Sequence, residues 1–434
     1  MLSLPSIAYL YEIFKQHPQV QTDTRKLQKG NIYFALKGPC FNGNSFAEKA
    51  LEAGASYAVV DEQVEVAAKW KDKILLVEDS LSCLQALAKY HRQQFDIPFI
   101  GITGSNGKTT TKELVATVLS SHFKTYTTQG NFNNHIGVPL TLLSVQEDAE
   151  MAVIEMGANH LKEIGSYCEY AMPNFGLITN CGKAHLEGFG SEEGVKKGKG
   201  ELFDYLRAHK GAVFVMSDYD YLTTMSAGIT EIISYGNTSG QLQANASTVQ
   251  GFLQVNFTKG APMESIQTQL VGEYNLPNIL AAVSIGLYFK VPADKIKYAI
   301  ENYAPTNSRS QLLKWNGNDV ILDAYNANPS SMQLAIENFA AVSSNHKIVC
   351  IGAMKELGET SIQEHQQLIT QLQKHHWEEV VIVGGDFEHC QHNYHYFATA
   401  MDARQWIQAK NYTNRSILIK GSRGIRMEQI LENK

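Results

Sequence analysis

Gly101-Ile102-Thr103-Gly104-Ser105-Asn106-Gly107-Lys108-Thr109-Thr110 decides how this chain is read. An apolar run (Ile97, Phe99, Ile100) precedes it, and a helical pattern (Leu114, Val115, Val118, Leu119) follows. Strand, glycine-rich turn and helix form the setting in which backbone N–H groups wrap a polyphosphate. Gly104, Ser105, Asn106, Gly107 and Thr110 are expected to line that site. Lys108 would neutralise the β- and γ-phosphates, and the Thr109 hydroxyl would hold Mg²⁺. The spacing is unusual: five residues separate Gly101 from Gly107, against about four in the common pattern. Ile102 stands where the first glycine is usual. The plain alternative is a glycine-rich turn with an incidental lysine. A strand, Gly-Lys-Thr and a helix in succession weigh against it, so ATP or GTP binding is expected.

The rest of the chain fits a cytoplasmic enzyme of several domains. At 434 residues it exceeds a single ordinary core, and two to four domains are expected. Hydrophobic content of 44% and charged content of 18% are those of a globular protein. A net charge of −6 argues against a general nucleic-acid binder. The six cysteines are scattered without a Cys-x-x-Cys pair, as suits reduced thiols rather than a disulfide frame or zinc site. Neither a basic, apolar leader nor an apolar run of about 18 residues occurs, so no secretory signal or membrane span is expected.

Three α/β segments follow from the alternation of strand and helix patterns. Residues 1–95 carry strands near Ile32–Leu36, Tyr57–Val60 and Ile74–Val77, and helices over Ser45–Ala53 and Ser80–Phe95. Residues 96–303 hold the phosphate loop, strands at Met151–Glu155 and Phe175–Thr179, and a helix over Ser191–Tyr205 capped by Ser191. Within them, 229–270 turns Thr-, Gln- and Ser-rich with alternating patterns, which reads as an antiparallel insertion or sheet extension. Residues 304–434 bring strands at Val320–Asp323, Ile348–Ile351, Val380–Val383 and Ser416–Lys420, with a helix over Ser361–His375. A mostly parallel sheet is expected in the central ATPase segment and a Rossmann-like one in the last.

Several positions could carry chemistry. Glu155 ends an apolar strand, where ligands of open parallel sheets sit, and beside a phosphate loop it could hold Mg²⁺. His185 follows another strand; alone, such a residue is more often structural. Lys199, within Lys196-Lys197-Gly198-Lys199-Gly200, reads most simply as part of a solvated basic face. Asn133 and Asn134 sit in a polar loop that could cap turns or grip a peptide-like ligand. Asp323 ends a strand before Asn326, with Arg309 upstream; the pair could take ribose hydroxyls and phosphate oxygens, or simply frame a turn. Lys420 and Arg423, among glycines after a strand, could clamp a carboxylate or phosphate. Thr24, Arg25 and Lys37 could do the same near the N-terminus.

Taken in order, these elements resemble the Mur ligase family of ATP-dependent amide-forming enzymes from end to end. The carriers are the phosphate loop, Gly130-Asn131-Phe132-Asn133-Asn134-His135-Ile136-Gly137-Val138-Pro139, Glu155-Met156-Gly157, the Asn180–His185 turn, Lys199-Gly200-Glu201, Asn275 with Asn278, Asp323-Ala324-Tyr325-Asn326-Ala327-Asn328-Pro329 and Lys420-Gly421-Ser422-Arg423-Gly424. The Tyr325–Ser331 string, the double-Asn loop and Glu356-Leu357-Gly358 are most similar to members that add D-alanyl-D-alanine to a UDP-muramoyl tripeptide. The resemblance implies ATP and Mg²⁺, a carbamylated Lys199 as anionic metal ligand, and metal contacts near Thr109, Glu155 and His185. It implies catalytic roles for Lys108, Lys199 and His185, contacts of Asn278 and Asp323 to adenine and ribose, and Arg309 near the phosphates. Thr24, Arg25 and Lys37 would bind the UDP part, and Asn133, Asn134, Asn326, Lys420 and Arg423 the remaining substrate. A monomer is expected. Other amino-acid-adding ligases of the family, folylpolyglutamate synthetases and a nucleotide switch without ligase activity are the alternatives. The chain departs from the usual family pattern at Tyr274, Ser308 and Ala353, where His, Gly and Asp are common.

Overall fold

The computed structural model describes residues 5–305 and 309–432; Ser308 lies outside the described residues. Three α/β sheets stand in sequence. The first is parallel and four-stranded, in spatial order Val20–Gln21, Ile32–Phe34, Tyr57–Val60, Ile74–Leu76. The second has nine strands, of which the six from Glu231–Gly236 through Ala212–Met216, Phe175–Ile178, Phe99–Thr103 and Met151–Glu155 to Thr125–Thr127 are parallel. Leu242–Val249 joins this sheet's edge in parallel, and Phe252–Lys259 and Ser265–Gln267 continue it antiparallel. The Thr- and Gln-rich stretch is thus a sheet extension, half-exposed and alternating as a one-sided sheet should be.

The third sheet has six strands in the order Gln311–Trp315, Asn318–Asp323, Ser416–Lys420, Lys347–Gly352, Glu379–Val383, His395–Phe397, the first antiparallel and the others parallel. Its central strands are apolar on both sides. Val349 and Ile351 face one cluster with Phe339, and Ile348 and Cys350 face another with Ile407. Helices on both faces of a parallel sheet require that continuous apolar run. Ala353 is fully buried in the first of these clusters, where a carboxylate would lose its hydration.

The first two sheets are less separate. Leu10, Phe34 and Leu84 belong to the same apolar cluster as Phe99, Leu114 and Ile154. Arg92, the last residue of the Ser80–Arg92 helix, is buried at their junction. Its guanidinium donates to the carbonyls of Ala171, Met172 and Phe95, and lies 3.7 Å from the Phe99 ring centroid. The helix expected over Ser45–Ala53 is shorter, a 3-10 turn at Gly43–Phe46 followed by Ala47–Glu52. No helix among the described residues is long and apolar enough to cross a membrane.

Candidate functional site

The carboxyl ends of the central strands and the facing ends of the third sheet enclose a cleft of about 890 Å³. Its floor is the phosphate loop. Gly104 lies at φ +143° and Gly107 at φ +78°; a Cβ would stand 2.0 Å from Thr179 Oγ1 at the first and 2.6 Å from Asn278 Oδ1 at the second. Glycine is therefore required at both, and Gly107 starts the Lys108–Ser120 helix without a side-chain cap. The first-turn N–H groups are left for a ligand. Lys108 curls back, its Nζ donating to Gly104 O at 2.7 Å and Ser105 O at 3.1 Å. Burial is the main force lowering its pKa.

Glu155, fully buried at its strand end, is held on one side only. Its Oε1 accepts from Thr109 Oγ1 at 3.0 Å and from Asn133 Nδ2 at 2.7 Å, while Oε2 has no partner. A buried carboxylate oxygen left open costs free energy unless a cation or donor meets it. The donor set, a hydroxyl and a carboxylate, suits Mg²⁺. Among the described residues no three His, Cys, Asp or Glu side chains converge on a metal, so such an ion would complete its shell with phosphate oxygens and water.

Lys199 lies behind this wall rather than on a solvated face. It is 0% exposed, donates to Ala158 O at 2.9 Å and sits 5.0 Å from the Phe189 ring centroid. Burial, and next the charge of Lys108, bring its pKa down to about 7. Gly198 explains the close fit, since a Cβ there would meet the Phe189 ring at 2.4 Å. His185, at a left-handed φ of +52°, places Nδ1 2.5 Å from Glu356 Oε2 across the cleft. Glu356 is itself left-handed, and this contact is the main force holding its carboxyl below the usual range.

The third sheet contributes groups that are largely satisfied. Lys420 Nζ pairs with Asp323 Oδ2 at 2.5 Å and also reaches Asn326 O. Asn326 accepts from the backbone of Ala327. Arg309 stacks on Tyr325 at 3.6 Å, Arg423 lies 5.0 Å from the same ring, and the Arg309 Nε has no partner. Arg309, Tyr325 and Arg423 wall a smaller recess of about 290 Å³ that also touches Thr109. Tyr274 donates or accepts a hydrogen bond with Ser310 Oγ at 2.9 Å.

Other expected residues are placed differently. Asn134 Oδ1 accepts from Ile136 N and Gly137 N, and so serves its own turn while lining the cleft. Asn278 lines it too, accepting from Thr111 Oγ1 beside the phosphate loop. Thr24, Arg25 and Lys37 do not reach the cleft. Arg25 pairs with Asp23, and Lys37 with Asp61 and Glu62. Sequence reading missed Asp218, Tyr219, Asn237 and Thr238, which line the far end of the cleft. Asp218 accepts from Asn237 N and Thr238 Oγ1. Their only signal was a place just past two strands whose residues carry no motif.

Residues 18–92 match the description Mur ligase family, catalytic domain, residues 102–286 the Mur ligase middle domain, and residues 308–423 the Mur ligase, glutamate ligase domain. The chain is 32% identical over 426 residues to the UDP-N-acetylmuramoyl-tripeptide–D-alanyl-D-alanine ligase of Bacillus subtilis strain 168, covering 95% of this chain and 92% of the relative. A crystal structure of MurF from Acinetobacter baumannii superimposes with a TM-score of 0.85 at 29% identity, covering 95% and 92% of the two chains. The MurF ligase of Thermotoga maritima in complex with ADP gives 0.86 at 25% identity, covering 96% of each.

Proposed function

The chain belongs to the Mur ligase family, and from that premise we propose how its residues divide the work of a D-alanyl-D-alanine-adding enzyme. It is an ATP-dependent ligase that joins D-alanyl-D-alanine to UDP-N-acetylmuramoyl tripeptide in peptidoglycan precursor synthesis. A carboxylate is a poor acyl donor because attack must expel an oxide. The tripeptide carboxylate therefore attacks the γ-phosphorus of ATP, releasing ADP and leaving an acyl phosphate. The free amine of D-alanyl-D-alanine then adds to the acyl carbon, and phosphate departs as the amide forms.

Lys108 and the helix N-terminus behind it offset the charge that spreads over the transferring phosphoryl oxygens. Thr109 and Glu155 would hold Mg²⁺, which supplies further charge neutralisation there. The open Oε2 of Glu155 is the observation that carries this assignment. Lys199 would be carbamylated: burial brings its amine to a pKa of about 7, so a substantial share is unprotonated at neutral pH, as attack on CO₂ requires, and the product is an anion. Asn278, Asp323 and Arg309 would contact the nucleotide, and Asn133, Asn326, Lys420 and Arg423 the peptide substrates. Thr24, Arg25 and Lys37 would take the UDP moiety. In this reading residues 1–95, 96–303 and 304–434 are three functional domains acting as a cytoplasmic monomer.

The test is a substrate panel pairing UDP-muramoyl tripeptides ending in meso-diaminopimelate or L-lysine with D-alanyl-D-alanine, single amino acids, or a folate with glutamate. ATP-dependent product only with a tripeptide and the dipeptide is expected. ATP hydrolysis without any amine-dependent product would reduce the protein to a nucleotide switch.

A further inference from the structure

The polar side chains of the phosphate loop are engaged outside it. Ser105 Oγ donates to Gly182 O at 2.9 Å and accepts from Gly182 N at 3.1 Å. Asn106 Oδ1 accepts from Asn328 Nδ2 at 2.8 Å, across 222 residues of sequence and between two sheets. Asn328 is also the N-cap of the Pro329–Ala341 helix, its Oδ1 accepting from Ser331 N at 2.9 Å. Two residues on, in the same first turn, Ser330 Oγ accepts from Lys183 N at 2.9 Å. Gly182 allows this approach, because a Cβ there would stand 2.7 Å from Ser330 Oγ. Lys183 Nζ completes the contact with an ion pair to the buried Glu364 at 3.0 Å.

We propose that Asn328 is a positioning residue that seats the C-terminal body on the phosphate loop, keeping delivery of the attacking amine in register with phosphoryl transfer. This rests on the ligase reading above. An amide is needed because it offers an acceptor to the helix and a donor to the loop at once; a hydroxyl caps as well but is too short to reach both. The bond ties the loop's rigid backbone, which holds the phosphates, to the first turn of the helix that carries the C-terminal body. When that body is unseated, water reaches the acyl phosphate and returns it to carboxylate and phosphate, with no amide formed.

The experiment measures phosphate released and peptide ligated together, in the full chain with D-alanyl-D-alanine and its UDP-linked tripeptide. Wild type is expected to give one phosphate per amide; absence of amide in wild type would overturn the ligase reading itself, before the variants are considered. Asn328→Ser keeps the cap and so the melting temperature. It is expected to lower kcat about tenfold, the scale of one net hydrogen bond, with the KM for ATP little changed and phosphate exceeding amide. Gly182→Ala, which crowds Ser330 in the same first helical turn without touching the cap, is expected to unseat that turn and uncouple likewise. A ratio of one in both variants, whether kcat is wild-type or merely reduced by a smaller folded fraction, would overturn the proposal.

Discussion

The two walls of the cleft treat charge in opposite ways. On the central wall, and just behind it, the buried lysines rest on neutral carbonyls: Lys108 on Gly104 and Ser105 in the cleft, Lys112 on Thr128 and Lys199 on Ala158 behind it. Only Lys112 also has an acid within reach, Glu113 at 3.9 Å, and Glu155 keeps one oxygen without a partner. On the C-terminal wall Lys420 is already bound to Asp323, and Lys183, reaching over from the central side, to Glu364. Both walls are strand ends of parallel sheets, so topology does not distinguish them. Charge left uncompensated is charge a ligand can complete, and the central wall is built for phosphate and metal. The C-terminal wall is compensated in advance at Lys420 and keeps its open positive charge in the Arg309 and Arg423 pair stacked on Tyr325, beside the phosphate loop.

Removing an open cation should cost most. Lys108→Ala is expected to lower ligation at least ~10³-fold, the scale of losing a preorganised charge at a transition state, with an unchanged melting temperature. Turnover near wild type in a folded variant would break the comparison at once. Next come the two strand-end acids. Glu155→Gln preserves acceptors for Thr109 and Asn133 but places an amide at the open oxygen, so activity should fall roughly 10²-fold and recover in part at high Mg²⁺. Asp323→Asn should barely alter the Mg²⁺ dependence. Its effect should appear as about 1–3 kcal/mol of lost stability from stripping a buried lysine of its partner, read by denaturant unfolding.

Lys199 sharpens the contrast through pH. Its folded pKa of about 7 lies below the ordinary 10.5, so the unfolded chain binds the extra proton between those values. Stability contributed by the neutral amine therefore grows as pH rises from about 7, by at most about 1.4 kcal/mol per unit. In CO₂-free buffer, wild type should gain on Lys199→Met between pH 7 and pH 9. Parallel curves would mean that the amine remains charged. The smallest effect is expected far from either wall. Arg25→Ala removes an exposed pair with Asp23, which should leave the melting temperature unchanged. A several-fold rise in KM for the UDP-linked substrate would place the uridine end there, and no change would remove Arg25 from the site.

Much of this was legible in the sequence because it rests on local rules. The phosphate loop, the Ser191 cap of Glu192–Ala208 and the apolar strands of the third sheet follow from spacing alone. The Thr125–Thr127 strand and the Gln311–Trp315 edge strand carry no such pattern, being short and half-buried. In the site, Glu155 could be placed at a strand end, but not its unpaired oxygen, which depends on where Asn133 arrives from another loop. Lys199 misled for a related reason. Its neighbours Lys196 and Lys197 suggest a wet face, while the helix turns Lys199 alone into the core. The Asn106–Asn328 bond has no sequence signal, since it pairs two turns that each look self-sufficient.

Among the described residues one apolar interior spans the first two large sheets, although the first keeps a small cluster of its own around Tyr33 and Ala50, and the third sheet shares neither. Leu10, Phe34 and Leu84 share their packing with Phe99 and Ile154, and Arg92 donates its guanidinium to the carbonyls that end the Glu163–Ala171 helix of the central segment. Heat or denaturant should therefore meet the first two sheets as one cooperative unit, with the third sheet, whose clusters are its own, melting as another. A circularly permuted or split version of the protein should tolerate a cut in the connection near residue 305, where two units meet. A cut near residue 95 would divide a single one.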